Sequence, residues 1–146
     1  MLFRSVSLAA QTVLDEVLLR FGGDIVTRLD VRQARLLNLV DPPADTDQAY
    51  AETIANRRLM LSEVRRSSPP EPAADAIDAK FREWSARAGG GNVTDLLARA
   101  GMPETGMRAW LRDDLRLQQY LEGRFGSRTA DQAAWVATLR QRAGLK

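Results

Sequence analysis

Apolar residues recur along this chain with two different periods. Near the start they alternate: Val17, Leu19 and Phe21 fall on one side of an extended strand, Gly22-Gly23-Asp24 supplies turn chemistry in which positive φ is cheap, and Ile25-Val26-Thr27 resumes the extended pattern. This predicts a small β-hairpin near residues 16–27, the one convincing strand signal in the sequence. Beyond it the period becomes helical. Thr27 followed three residues later by Asp30 reads as a capping box with Asp in place of Glu, and Val31, Ala34, Leu37 and Val40 then keep helical spacing until Asp41-Pro42-Pro43 stops the run. A second helix starts at Asp45 or Thr46 and carries Tyr50, Ile54, Leu61 and Val64 on one face as far as Arg66, with Arg57 on the same stripe. Ser67-Ser68-Pro69-Pro70-Glu71-Pro72 cannot continue it, because proline removes a donor and pushes the residue before it into extended geometry.

The third helix places Ile77, Phe81, Trp84 and Ala88 at spacings of four, three and four, so Phe81 and Trp84 are expected to be largely buried. Gly89-Gly90-Gly91 ends it. Thr94 is expected to cap a short helix through Leu96, Leu97 and Ala100, closed by Gly101 in left-handed geometry. Pro103 suits the first turn of a long fifth helix, with Met107, Leu111, Leu115, Gln118 and Leu121 near one face and its end at Phe125. Gly126-Ser127-Arg128 breaks the run, and Thr129 caps a last amphipathic helix with Trp135, Val136, Leu139 and Ala143. The expected fold is therefore all-α with about six helices, near 29–40, 46–66, 73–88, 94–100, 103–125 and 129–143, plus one short N-terminal β-hairpin. No internal repeat at a fixed period is visible.

Composition then narrows the chemistry. At 146 residues the chain has the size of a single domain and enough interior to fold without disulfide or metal. It contains neither Cys nor His, which removes the nucleophilic thiol, the imidazole base and nearly every zinc, haem or iron–sulfur site, so no metal, no cofactor and no enzymatic activity are expected. The formal charge is only +2, with 21 basic against 19 acidic residues; the sequence pI near 9.5 is high because nothing titrates between the carboxylates and the strong bases. Of the basic residues 19 are Arg, beside 21 Ala, a pairing read first as coding bias towards GC-rich codons rather than as nucleic-acid binding. No apolar run approaches the roughly 18 to 20 residues needed to cross a bilayer. Residues 1–12 are mildly apolar and end in small side chains; they read either as a frayed end or as a truncated export signal, leaving 13–146 as the domain.

Paired carboxylates are the one catalytic arrangement such a chain leaves open, and Asp15-Glu16, Asp113-Asp114 and Glu71 are the candidates. For Asp113 and Asp114, between Arg112 and Arg116, ion pairing along the same helix on a wet face is the better reading. Gly89-Gly90-Gly91-Asn92 lacks the Lys-Ser/Thr and the preceding strand of a phosphate loop. The Arg-dense stretches, Arg57-Arg58, Arg65-Arg66 and the shared face of Arg108, Arg112 and Arg116, are diluted by Glu104, Asp113, Asp114 and Glu122, which favours a solvated mixed-charge face over a nucleic-acid stripe.

The order of elements brings in a resemblance. The segment from Leu14-Asp15-Glu16-Val17 through Gly22-Gly23-Asp24 to Asp30-Val31 resembles the opening of SurA-type periplasmic chaperones, in which an apolar strand, a short turn ending in Asp and a second strand lead into a helix. Asn56-Arg57-Arg58-Leu59-Met60-Leu61-Ser62-Glu63-Val64 is similar to that family's second helix. The stretches Asn92–Met102 and Met107–Leu117 follow its arrangement of a short helix, a Gly and a long helix with an internal basic run. The match spans about residues 13–128 and rests on the order of five elements rather than on any one motif. It implies a peptide-binding domain of the SurA N-terminal type without the parvulin prolyl isomerase modules, an extracytoplasmic or periplasmic location, and unfolded or extended apolar-aromatic polypeptides as clients. The last helix would then replace the C-terminal segment that packs back on this domain in the family.

A client groove is expected to draw on Met102, Met107, Trp110, Tyr120 and Leu121, since thioethers and flat rings adapt to varied partners. Ordinary core is the competing assignment for all five and the preferred one for Leu121. Two other classes stay open, a homodimeric or partner-binding helical module without a client and an Arg-rich helical DNA binder.

Overall fold

The structure, a computed structural model, describes residues 15–88 and 91–146. Residues 1–12, read above as a frayed end or an export signal, lie outside the described residues, as do Gly89 and Gly90. Two strands, β1 (Val17–Phe21) and β2 (Asp24–Thr27), pair antiparallel and lead into six helices: α1 (Arg28–Leu36), α2 (Asp47–Arg66), α3 (Ala74–Arg87), α4 (Val93–Ala100), α5 (Glu104–Phe125) and α6 (Thr129–Arg142). The fold is mainly helical with one short N-terminal hairpin.

Gly22 and Gly23 take φ of +49° and +80°, which a tight hairpin demands and which side chains with a Cβ resist. The register pairs Leu19 with Val26 and Phe21 with Asp24, and an irregularity between Val17 and Leu19 breaks strict alternation. Leu18 consequently packs against the core together with Leu19 and Phe21.

At the start of α1 both halves of the capping box form: Asp30 N–H donates to Thr27 Oγ1 at 3.3 Å, and Thr27 N–H donates to Asp30 Oδ2 at 2.9 Å. Thr27→Ala is therefore expected to cost about 1 kcal/mol, lowering the melting temperature by roughly 2–4 °C; an unchanged urea midpoint would show that the cap contributes nothing.

The helix stops at Leu36, well before the Asp-Pro-Pro signal. Asn38 adopts φ +55°, Leu39 N–H reaches back to the Ala34 carbonyl at 2.9 Å and Asn38 N–H to Arg35 at 3.4 Å. That is a Schellman ending, which Asn tolerates better than other residues with a Cβ. It turns the chain so that Leu37 and Val40 are still buried, but from a loop rather than from a helical face.

Three groups of buried side chains follow from the helical stripes. The first joins the hairpin (Phe21, Val26) to α1 (Val31, Ala34) and the first half of α2 (Tyr50, Ala51, Ile54, Ala55). Ala143 and Leu145 close it from the far end of the chain, where Gly22 N–H donates to the Ala143 carbonyl at 3.0 Å. The second gathers Leu37, Trp84, Leu97, Ala100, Met107 and Leu111 around the Trp84 indole, and the third sets Leu61 and Val64 of α2 against Leu117 of α5.

Trp84 is buried as expected, whereas Phe81 is half-buried, tilted against Trp84 at 5.5 Å and covered by the Arg108 guanidinium at 4.5 Å. Three helix starts differ from expectation. Asn92, not Thr94, caps α4 by accepting from Asp95 N–H at 3.1 Å, Pro103 sits one residue before α5, and Thr129 is the first residue of α6, whose cap position is Arg128 without a side-chain hydrogen bond. Gly101 closes α4 at φ +68°.

Candidate functional site

The helix α5 lies between α2 and α3, and its two sides do different things. Towards α2 it is held by a charged clamp. Arg57, on the apolar stripe of α2, lays its guanidinium over the Trp110 ring at 3.7 Å, donates to the Trp110 carbonyl at 2.9 Å and donates to Asp114 Oδ1 at 2.7 Å. Its side chain is only 13% exposed, so the aliphatic stem fills the gap between Ile54 and Leu61 while the head finds its partners on the neighbouring helix. Burial lowers the Arg57 pKa against the opposing pull of Asp114 and Asp113, and burial likewise raises the Asp114 carboxyl above the ordinary range against Arg57 and Lys80. Asp113 faces Arg65 of α2 and Arg112, each at 3.7 Å. The reading of Asp113 and Asp114 as ion pairs along one wet helix is thus corrected: α2 supplies the partner of Asp114 and one of the two partners of Asp113, the other being Arg112 of α5 itself.

Towards α3, Arg108 donates to Asp78 at 2.6 Å and to Glu104 at 3.3 Å, and Arg116 meets Glu71 at 3.5 Å. Hydrogen bonding to Asp78 raises the Arg108 pKa. The shared face of Arg108, Arg112 and Arg116 is therefore matched by acids from α3, from α5 itself and from the proline-rich connection. Asp15 and Glu16 are occupied as well, Asp15 Oδ1 accepting from Leu29 N–H at 3.1 Å and Glu16 pairing with Arg28 at 2.7 Å.

Along one side of the seam between α3 and α5 run two shallow clefts, of about 400 and 290 Å3, that meet at Gln118. Leu111, Leu117 and Leu121 floor the first, with Lys80, Arg87 and Asp114 at its rim; Pro72, Ala76 and Leu115 give the second its apolar wall. A third cleft of about 320 Å3, lined by Ile77, Ala109 and the Arg108–Asp78 pair, lies elsewhere along the seam. The α3 positions from Ala76 to Arg87 span roughly 16 Å of helix rise, the reach of about five extended residues.

The five residues expected to line a groove are not brought together. Met107 has no exposed surface and Met102 packs beside it around Trp84. Trp110 is the platform beneath Arg57. Tyr120 lies tilted against Trp135 at 5.8 Å and accepts from Arg124 at 2.7 Å. Leu121, the one for which core was preferred, is half-buried and lines a cleft. The cleft residues that sequence reasoning missed are Lys80, Arg87 and Leu117. A signal for the rest is present in the sequence, because Leu111, Leu115, Gln118 and Leu121 share one helical stripe; the buried line of α5 runs through Met107, Leu111, Leu117 and Phe125.

Among the described residues no group of three His, Cys, Asp or Glu is placed to hold a metal ion, and no helix is long and apolar enough to cross a membrane. Comparison with protein-family models, with curated proteins and with solved structures finds no match.

Proposed function

We propose that the chain is a non-catalytic, chaperone-like module of the SurA N-terminal type, acting outside the cytoplasm, that holds unfolded or extended apolar-aromatic polypeptide segments. The observation that carries this reading is the solvent-open, leucine-floored cleft on the α3–α5 seam. It is shallow and long enough for several residues, and its floor is made of side chains that place no precise demand on what they touch. Binding is weak, because a disordered client gives up conformational entropy when it is held.

Two further features support the reading. The last helix packs on α2, with Arg140 donating to Asn56 at 2.7 Å, and the residues after it reach the hairpin, where Ala143 meets Gly22, as the resemblance implies for a segment that packs back on the domain. The arginines, in turn, are spread over several elements and largely consumed by Asp and Glu, which weakens the case for a DNA-binding stripe. The partner-binding reading keeps one specific support, the exposed Leu29 and Leu36 seven residues apart on α1.

The test is aggregation of a chemically denatured outer-membrane protein, followed by light scattering at several-fold molar excess of this chain. Suppression is expected, and Ala76→Glu, which sets a carboxylate in the apolar wall at a half-buried helical position, should weaken it at least threefold without moving the melting temperature. No suppression by the parent protein would end the chaperone reading and leave the α1 face and a protein partner as the better account.

A further inference from the structure

The cleft floored by Leu111, Leu117 and Leu121 has two cations on its α3 wall, Lys80 and Arg87, that its own fold uses only in part. Lys80 and Arg87 stand seven residues apart on α3, which puts them on one face of the helix about 10 Å apart along its axis. Lys80 has a distant pair, Glu83 at 3.6 Å, and Arg87 makes no ion pair among the described residues. The acidic group on the opposite wall, Asp114, is already engaged by Arg57 at 2.7 Å. Along the α2–α5 and α3–α5 contacts, by comparison, Arg57, Arg65, Arg108 and Arg116 each meet a carboxylate from a neighbouring element.

We propose that the occupant of this cleft is an extended polypeptide segment in which apolar side chains alternate with carboxylates, the apolar ones resting on the leucine floor and the Asp or Glu side chains reaching Lys80 and Arg87. The inference rests on the polypeptide-binding reading above and gives its clients a chemistry. The 10 Å separation of the two cations corresponds to side chains about two to four residues apart on an extended chain, which rises roughly 3.3 Å per residue. A basic client would meet Arg87, which has no ion pair among the described residues, and Lys80, paired only at 3.6 Å with Glu83, over an apolar floor, where desolvation makes like-charge contact costly. The selectivity comes from exclusion as much as from attraction.

Two fluorescein-labelled octapeptides test it, one alternating Phe with Glu and the other Phe with Lys, titrated with the intact chain and followed by anisotropy. The Glu peptide should bind about tenfold more tightly at low ionic strength, since two exposed ion pairs are replaced by two repulsive contacts, and the gap should shrink towards 0.5 M salt. Lys80→Glu/Arg87→Glu, with its fold checked by circular dichroism, should reverse the preference. Equal binding of the two peptides by the parent protein overturns the charge inference while leaving the polypeptide-binding reading in place. A preference for Glu that survives the double reversal overturns it too, by locating the selectivity elsewhere. Failure of the folded parent to bind either peptide overturns both readings together.

Discussion

Trp84→Ala should lower the stability of this protein by about 4 kcal/mol, a drop of roughly 8–16 °C in melting temperature for a domain of this size. Trp84 is 2% exposed and gathers side chains from the turn after α1, from α4 and from α5 around its ring. Its Nε1 donates to the Leu37 carbonyl at 2.7 Å, and that carbonyl belongs to the cap of α1 and has no place in a helical ladder. The substitution removes the ring, opens a cavity between four elements and leaves a buried acceptor unpaired. Trp84→Phe separates the contributions: most of the volume stays, the hydrogen bond is lost, and the cost should fall to about 1–3 kcal/mol. Phe81→Ala should cost less than Trp84→Ala, because Phe81 is half-buried and Arg108 rather than core covers its outer face. Equal unfolding midpoints for Trp84→Ala and Phe81→Ala in urea would show that the indole does not organise this cluster.

What the sequence made legible was whatever is encoded over three or four residues. The Thr27–Asp30 box, the Gly22-Gly23 turn and the left-handed Gly101 each depend on local backbone chemistry, and each stands where the residues put it. The end of α1 was missed because Asn38 breaks the helix by adopting positive φ, a weaker signal than the prolines that follow, while Leu37 and Val40 stay buried and so preserve the apparent period. Asn92 was passed over for Thr94 because either side chain can accept an N-terminal amide, and two residues of offset change little in the pattern.

The cleft was misread for a different reason. On a helix of 22 residues packed against two neighbours, apolar side chains cover more than half of the circumference, and periodicity shows which residues share a line without showing which line has a partner helix. Leu115 lines a cleft beside α3, whereas Leu117 and Leu121 line a cleft and also pack with Leu61 and Val64 of α2. The same limit applied to Arg57, an evident anomaly on an apolar stripe whose explanation, a ring and a carboxylate on α5, lies more than fifty residues away.

That clamp gives the second large effect. Arg57→Ala should cost about 3 kcal/mol, since it removes buried stem packing, a cation over an indole and two hydrogen bonds to α5, and strands Asp114 without its counter-charge. The Arg57→Leu/Asp114→Leu pair should cost less than Arg57→Ala alone, because removing both charges removes the desolvation along with the attraction. The sign of the pH dependence follows from Asp114. Burial raises its pKa in the folded state above the ordinary carboxylate value, so the native protein holds this proton more tightly than the unfolded chain does. Its contribution to stability is therefore present at low pH and is lost as pH rises through the interval from about 3.9 towards the raised value. In Asp114→Asn that ionisation is gone while the other groups remain. The stability of the parent protein relative to Asp114→Asn should accordingly decline as pH rises above about 3.9, the ordinary carboxylate value, when both are unfolded in urea over a series of pH values. A parent that instead gains on the variant with rising pH would mean that the Arg57 charge outweighs burial at this site, and the clamp would then be an ordinary stabilising ion pair rather than a buried cation that Asp114 and the Trp110 ring together hold in place.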